Sequence, residues 1–190
     1  MSTETATGKL RDEHFLILRV TEALEHTLHQ LDSGTDPDLD LIADCVAFFR
    51  LYADACHHGK EEDLLFAGLE EFGMRSDEGP VAVMLAEHRR GRELVARMAG
   101  ALPDAPADGN AMHTLRTAAW SWIDLIRSHI GKEDGILFEI ADGMIRGPRC
   151  RQLCDAYREA DACAFESRSK ADLEALAARI IARIPGGTTQ

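Results

Sequence analysis

Apolar residues recur along most of this sequence at alternating steps of three and four positions, which is the spacing of one face of an α-helix. The clearest case is the first such segment, whose repeating positions are Leu10, His14, Ile17, Thr21, Leu24, Leu28 and Leu31. Strand-like alternation of single residues is scarce by comparison. The periodicity predicts long helices over about residues 9–31, 37–72, 80–102 and 109–142.

Short breaks separate these predicted helices, at SGTDPDLD, GMRSDEGP and LPDAPADGN. Four long helices joined by short loops are typical of an up-down-up-down bundle. After Gly147 and Pro148, the pattern predicts two shorter helices over about 149–165 and 169–184, before a loose PGGTTQ tail. We therefore predict an all-α protein, with a four-helix bundle over 9–142 and a C-terminal helical extension over 146–185 packed on the bundle.

Three of the apolar stripes, the first and two further ones, contain a histidine where an aliphatic residue is expected. The third predicted helix carries Val81, Met84, His88, Gly91, Val95, Met98 and Leu102, and the fourth carries Leu115, Ala118, Trp122, Leu125, His129, Glu133, Ile136 and Ile140. A carboxylate in a core is costly unless it is paired or binds a metal. One core histidine is usually a satisfied polar residue, but such groups on all four helices indicate a metal site.

The second predicted helix contains the stretch HHGKEEDLLF at residues 57–66, which holds two overlapping pairs of histidine and glutamate. His57 lies four positions before Glu61, and His58 lies four positions before Glu62, so each pair shares one helical face. Consecutive residues of an α-helix point about 100° apart, so both pairs cannot face the same core. This stretch alone leaves the choice between the two pairs open.

A related stretch, HIGKEDGILF at residues 129–138, distinguishes the two pairs. Its alignment with HHGKEEDLLF gives six identities in ten positions. One identity pairs the mid-helix glycines Gly59 and Gly131, each of which costs about 1 kcal/mol relative to alanine. His129 and Glu133 correspond to His57 and Glu61, whereas an isoleucine stands opposite the second histidine. We therefore predict that the first pair faces the core and the second flanks it. Asp134 stays open as an alternative ligand beside Glu133.

The candidate metal ligands are imidazoles and carboxylates that lie at similar heights in antiparallel helices, given a rise of about 1.5 Å per residue. They are His14, His57, Glu61, His88, His129 and Glu133. Imidazole and carboxylate without thiolate suit iron, and also manganese or zinc. These ligands are too many for one closed tetrahedral zinc, and two carboxylates from facing helices can bridge two metals. We predict a dinuclear site whose open coordination positions admit a small molecule.

The order of these residues resembles the hemerythrin-like, or HHE cation-binding, domain. The similarity covers about residues 9–142 and is carried by DEH at 12–14, HHGKEEDLLF, AEHRRGREL at 86–94 and HIGKEDGILF. The resemblance implies a non-haem di-iron centre in a four-helix bundle, bridged by the two glutamates and an oxo or hydroxo group. Manganese or zinc are the substitutes that the same ligands would accept.

One position departs from the oxygen-carrying hemerythrins, which have five histidines, two of them four apart on the third helix. Here Met84 stands four positions before His88, and a thioether is a poor ligand for hard ferric iron. The last carboxylate is also Glu133 at i+4 rather than an aspartate at i+5. The resulting set is more similar to bacterial iron–sulfur cluster repair di-iron proteins and to hemerythrin-like proteins implicated in peroxide or nitric oxide handling.

The resemblance therefore implies a di-iron protein that binds or reacts with O2, peroxide or NO, in sensing, detoxification or an iron-linked stress response. Any enzymatic activity would be redox chemistry at the metal pair. Two alternatives stay open. One is an iron store or donor for iron–sulfur cluster repair, and the other is a non-catalytic helical interaction module whose polar core fixes helix register.

The acidic composition bounds the partners that this sequence can bind. A formal net charge of −12 argues against nucleic acid and anionic membranes. No run of 18 apolar residues exists, and the polar start MSTETATGKLRDEH lacks the apolar region of a secretory signal. We predict a cytoplasmic protein, monomeric or homodimeric, whose ligand is a small diatomic molecule or a peroxide.

The cysteines are odd in number, which favours reduced thiols in a cytoplasm. They are Cys45, Cys56, Cys150, Cys154 and Cys163. Cys56 adjoins His57 and is expected to be a small core residue. Cys150 and Cys154 share a helical face without a matching metal-ligand pair, so buried thiols are expected, with a redox or metal role as the alternative. The remaining histidines, expected at the surface, are His26, His29 and His113.

Overall fold

The computed structural model describes residues 5–34 and 36–184, and these residues are helical without any β-strand. The PGGTTQ tail and the last residue of the predicted extension lie outside the described residues. None of the helices in the described ranges combines the length and the apolar character that a membrane span requires. The predicted all-α class is therefore confirmed.

Four long helices form the bundle, and their bounds follow the predicted ones closely. Helix α1 spans Gly8–Asp32, and helix α3 spans Gly79–Ala101. Helix α2 runs without a break through Leu39–Phe48, Phe49–His58, Glu61–Phe66 and Ala67–Glu71. Helix α4 runs in the same way through Gly109–Lys132, Glu133–Leu137 and Phe138–Met144.

The ends of these helices carry the local signals expected from the sequence. The side chain of Asp38 caps α2 by accepting a hydrogen bond from the amide of Leu41 at 3.0 Å. Proline follows the first residue of α3, where its missing amide hydrogen has no helical partner in any case. Gly73, which follows α2, adopts a φ of +91°, a conformation that glycine reaches without strain. These residues therefore set where α2 begins and ends and where α3 begins.

Parts of α2 and α4 are wider than an α-helix, because their hydrogen bonds close over five residues. These π-helical segments are Phe49–His58, Glu61–Phe66 and Glu133–Leu137. A wide turn contains an extra residue, so the buried face moves by one position after it. The prediction that Ile136 and Ile140 face the core is wrong, since they are 55% and 36% exposed, while Leu137 and Phe138 are buried instead.

The bundle core consists of two apolar clusters with a polar belt between them. The large cluster includes Ile17, Phe49, Leu94, Trp122 and Ile126, and the small cluster includes Leu10, Phe66, Met84, Leu137 and Phe138. In α1, for example, buried His14 lies between a residue of the small cluster and a residue of the large one. The predicted stripes of α1 and α3 are buried, apart from half-buried Leu31 and Leu102 at their ends.

Two further helices follow the bundle. Helix α5 spans Gly147–Asp161 and helix α6 spans Lys170–Ala182, and a turn with positive φ at Glu166 and Ser167 lies between them. Leu173, Leu176 and Ile180 of α6 join the large cluster, and Leu153 and Tyr157 of α5 join the small one. The division of the chain into two units at residue 146 stays a prediction.

Candidate metal centre

The polar belt brings the six predicted ligands together with one further histidine. Two groups of side chains each have their potential ligand atoms within 4.8 Å of one another. The first group is His14, His57, Glu61 and Glu133, and the second is His58, Glu61, His88 and His129. All seven are buried, with between 0% and 3% of their surface exposed. Glu61 belongs to both groups, so the two groups adjoin.

The repeated stretches of α2 and α4 build matching halves of this belt. In α2, Nε2 of His57 lies 3.4 Å from Oε1 of Glu61, one turn further along. In α4, Nε2 of His129 lies 3.2 Å from Oε2 of Glu133 in the same i,i+4 relation. In both stretches a wide turn begins at the glutamate. The sequence repeat therefore corresponds to a structural repeat.

The two glutamates lie between histidines of different helices. Oε1 of Glu61 faces His57, and its Oε2 lies 3.3 Å from Nε2 of His88 on α3. Oε2 of Glu133 lies 3.2 Å from Nε2 of His14 on α1 and at the same distance from Nε2 of His129. Each carboxylate thus approaches imidazoles from two helices, as expected for a group that bridges two ions.

The inward carboxylate oxygens lie close to the imidazole nitrogens but form no hydrogen bonds with them among the described residues. Both carboxylate oxygens of Glu61 and of Glu133 are buried without a hydrogen-bond partner among the described residues, as are the Nε2 atoms of His14, His57 and His58. Such groups are expensive to bury unless they bind something. Ligands about 2.1 Å from one metal at right angles lie about 3 Å apart, which matches the separations in the belt. The donor set therefore fits metal ions.

A carboxylate outside the belt contacts the other ring nitrogen of each histidine. The Nδ1 contacts are His14 with Asp134 at 2.9 Å, His57 with Glu13 at 2.8 Å, His58 with Asp54 at 3.4 Å, His88 with Glu62 at 2.7 Å and His129 with Glu87 at 3.0 Å. An ionised carboxylate only accepts, so Nδ1 donates and Nε2 is left to face the centre with its lone pair. All five imidazoles are thereby oriented as metal ligands.

The sequence revealed only some of the carboxylates that contact the Nδ1 atoms of the belt histidines. Glu62 flanks the centre as expected, and Asp134 contacts His14 rather than lying among the clustered ligand atoms. Glu13 and Glu87 were missed, although each directly precedes a predicted ligand in the sequence. Their partners are histidines on neighbouring helices, so the adjacency in sequence did not show the pairing.

His58 is the main departure from the predicted arrangement. An α-helical pattern predicts a position for it on the flank of the core, because neighbouring residues of an α-helix point far apart. In the structure His58 is 3% exposed, and its ring lies 3.8 Å from the ring of His88 in a stacked orientation. Both residues 57 and 58 end a wide π-helical segment, in which successive side chains diverge by a smaller angle. His57 therefore faces α1 while His58 faces α3, and both line the centre.

Burial and the surrounding carboxylates shift the pKa values of the belt in the metal-free protein. Burial would lower the pKa of His14, but the hydrogen bond with Asp134 and the negative charges of Glu133 and Glu61 raise it to about 9. The pKa of His88 is likewise raised to about 9, against its burial, by its carboxylate partners. Burial and the neighbouring His88 charge lower the pKa of His58 to about 3. Protons on the imidazoles therefore offset the buried carboxylates until a metal replaces them.

A cluster of charged side chains, here called the ionic cluster, supports Glu13 behind His57. It consists of Lys9, Glu13, Lys60, Asp161 and Lys170. The ammonium of buried Lys60 contacts Glu13, lies 2.7 Å from Asp161 and lies 3.4 Å from the thiol of Cys56. Glu13, Cys56 and Asp161 could by their positions hold a metal, but this ammonium contacts all three. The cluster is therefore a charge network rather than a second metal site.

Helix α5 and its following turn contribute to the surroundings of the centre. Asp161 ends α5, and Lys170 begins α6. Tyr157 is fully buried, and its hydroxyl has no hydrogen-bond partner among the described residues. Burial and the nearby charge of Glu61 raise the pKa of this phenol well above its usual range. The C-terminal helices thus cover the side of the centre on which His57 lies.

Aromatic rings and a cavity complete the environment of the belt. Phe138 stacks on His14 with a centroid distance of 5.2 Å, and Phe66 stacks on His88 at 6.0 Å. A mainly apolar cavity of about 280 Å³ has Trp122, Gly91 and His58 in its wall. This space is large compared with the roughly 30 Å³ that one water occupies in the liquid. Small molecules can therefore come close to the second group of ligands.

The remaining predicted thiols and histidines are outside the two ligand groups of the belt. Cys150 and Cys154 are buried in the small apolar cluster, as expected, whereas Cys163 is exposed. Cys56 is buried, which confirms the prediction of a small core residue. The histidines expected at the surface are exposed at His29 and His113 and half-buried at His26.

Comparisons with known proteins identify relatives of this chain and its family. The chain is 23% identical over 156 residues to the uncharacterized proteins Mb2018 of Mycobacterium bovis and MT2051 and Rv1995 of Mycobacterium tuberculosis. Each match covers 82% of this chain, which spans 60% of the length of these relatives. No solved structure matches the chain significantly. The model of the hemerythrin HHE cation binding domain matches residues 5–141, and the chain therefore belongs to the hemerythrin HHE cation-binding family.

Proposed function

We propose that this chain is a non-haem di-iron protein that binds or reacts with O2, peroxide or NO. The observation that carries the proposal is the position of Glu61. One of its oxygens faces His57 and the other faces His88, and neither oxygen has a hydrogen-bond partner among the described residues. A buried carboxylate in this position is suited to bridging two cations, and it is difficult to account for otherwise.

The chemistry of the donors favours iron among the possible metals. Imidazole nitrogens and carboxylate oxygens suit iron, manganese and zinc, and the ligand groups contain no thiolate that would favour zinc or copper. Two iron ions with a bridging oxo or hydroxo group would supply one-electron redox chemistry and open positions for a small ligand. Zinc would occupy the same ligands without redox chemistry.

The protein's own contribution is to hold the ligands and to limit access. Carboxylates at the Nδ1 atoms fix the direction of every belt imidazole, so little reorganisation is needed when a metal binds. Phe138 and Phe66 cover the imidazoles of His14 and His88 and keep bulk water away from them. The apolar cavity beside His58 suits a small, weakly polar ligand. These features support a gas or a peroxide more than a large polar substrate.

Metal analysis of purified protein is the most direct test of the proposal. We expect about two irons per chain and a near-ultraviolet absorption band that changes on addition of O2, H2O2 or NO. The variants His57→Ala and Glu61→Ala should lose this metal, whereas His113→Ala, at an exposed position outside the belt, should retain it. Metal content near zero in the wild type, unchanged in all variants, would favour the helical interaction module instead.

An iron store or donor for cluster repair is the second function that the same ligands permit. A donor has to release its metal, whereas every belt residue here is almost fully buried. We therefore expect bound iron to resist a strong chelator for hours. Rapid loss of both irons to the chelator would favour the donor function. The cytoplasmic location and the monomeric or homodimeric state stay predictions.

A further inference from the structure

We propose that His58 is a third histidine ligand of the metal held by His88 and His129, so that the two metals differ in their protein ligands. This inference rests on the proposed function, because it requires that the centre binds two metals. His58 then supplies the fifth imidazole of the centre from α2. The second metal would have three histidines, and the metal beside His14 and His57 would have two.

The first support is the position of the His58 ring. Its ligand atom lies within 4.8 Å of those of Glu61, His88 and His129. The ring lies edge-on to His129 with a centroid distance of 5.6 Å, and it stacks on His88 at 15°, so one of these two stacked rings has to rotate for both to bind one metal. The Nε2 atoms of His88 and His129 are themselves 3.2 Å apart, which suits two ligands of one metal. The second metal therefore has a third imidazole within reach.

The second support is the hydrogen bonding of the two His58 nitrogens. Nδ1 faces Asp54 at 3.4 Å, and the same Asp54 oxygen is held by the guanidinium of Arg92 at 2.7 Å. Nε2 is buried and has no hydrogen-bond partner among the described residues. This is the arrangement of the other belt histidines, in which a carboxylate holds the outer nitrogen and the inner nitrogen is left for a metal.

The third support is the place of Met84 on α3. This buried side chain stands one turn before His88, so α3 offers no second imidazole at that position. A thioether is a poor substitute for imidazole on iron. His58 approaches His88 from α2 instead, and the wide π-helical segment that ends at residue 58 makes this approach possible.

Titration of metal-free protein with Fe²⁺ under anaerobic conditions tests this assignment. The wild type and the variants His58→Ala, His58→Phe and His26→Ala would be compared by metal stoichiometry and by chelator competition. His26 is the matched control, because its Nε2 is also buried without a hydrogen-bond partner in the described part of the chain but lies outside both ligand groups. Phenylalanine retains a ring that can stack on His88 but cannot bind a metal.

We expect both His58 variants to bind one Fe²⁺ as the wild type does and the second at least about tenfold more weakly. Added imidazole should reach His58→Ala through the adjoining cavity and restore the second site. Two tightly bound metals in His58→Phe, or a weakened site in His58→Ala that imidazole leaves weak, would overturn the proposal. A wild type that binds fewer than two metals would instead contradict the proposed function itself. Because His58→Phe preserves the packing, it decides the question even if His58→Ala fails to fold.

Discussion

Glu13→Gln is expected to destabilise the protein strongly, because Glu13 is a buried member of the ionic cluster. Its side chain is 3% exposed and contacts the ammonium groups of Lys60 and Lys170, while its other oxygen accepts a hydrogen bond from His57 at 2.8 Å. Burial would raise the pKa of Glu13, but His57 and the two lysines hold it well below its usual range. The group is therefore a carboxylate at neutral pH.

The magnitude follows from the charges that remain after the substitution. The cluster contains three lysines and two carboxylates, so loss of Glu13 leaves three cations facing Asp161 alone. Removal of one partner from a buried ion pair typically costs about 3–5 kcal/mol. Asp161 is partly exposed and still faces Lys60, so we expect a loss of about 3 kcal/mol, at the lower end of this range. Metal affinity should also fall, by about 10- to 100-fold, because His57 loses its orienting partner.

Urea unfolding of the metal-free protein, followed by helical circular dichroism at pH 7, measures this loss of stability. Glu25→Gln is the matched control on the same helix, where the carboxylate is 27% exposed and binds Arg127 at 2.7 and 2.6 Å. An exposed pair of this kind contributes about 0–1 kcal/mol. If Glu13→Gln loses no more stability than Glu25→Gln, the ionic cluster does not stabilise the fold in the way described.

Three further predictions concern packing, helix geometry and metal binding, and each is measured by unfolding. Gly131→Ala should stabilise the metal-free protein by about 1 kcal/mol, because an added Cβ meets nothing within 4 Å among the described residues. Gly91→Ala should instead destabilise the protein, because its Cβ would lie 3.0 Å from the ring of Trp122. Leu137→Ala should cost about 3 kcal/mol and Ile136→Ala less than about 0.5 kcal/mol, and the reverse order would contradict the wide turn before them. Removal of metal should lower the unfolding free energy by about 2.7 kcal/mol, compared with protein in a free metal concentration 100 times the dissociation constant. An unfolding free energy that does not depend on the free metal concentration would contradict metal binding to the native state.

The fold and six of the seven belt residues could be predicted because both depend on spacing within single helices. The stripe of α1 shows its buried face through steps of three and four residues. The pair of His57 with Glu61 recurs as His129 with Glu133, and that repetition is enough to select one of two possible faces of α2. Buried polar residues in an apolar stripe are costly, so their presence already indicates a bound group.

The rest of the centre could not be predicted, because it depends on contacts between helices and on helix width. Glu13 adjoins His14 in the sequence but binds His57, and Glu87 adjoins His88 but binds His129. No periodicity within one helix contains that information. Asp161 and Lys170 reach the ionic cluster from helices far along the chain, so only the packed structure reveals them.

The wide turns connect the shape of the helices to the chemistry of the centre. A π-helical segment is rare and is seldom retained without a functional reason. Here one such segment begins at Glu61 and another at Glu133, the two residues that face imidazoles on different helices. A third segment ends at His58 and turns two successive imidazoles toward the belt. Helix widening therefore increases the number of ligands that α2 can offer, and it explains why α-helical periodicity alone leaves His58 outside the centre.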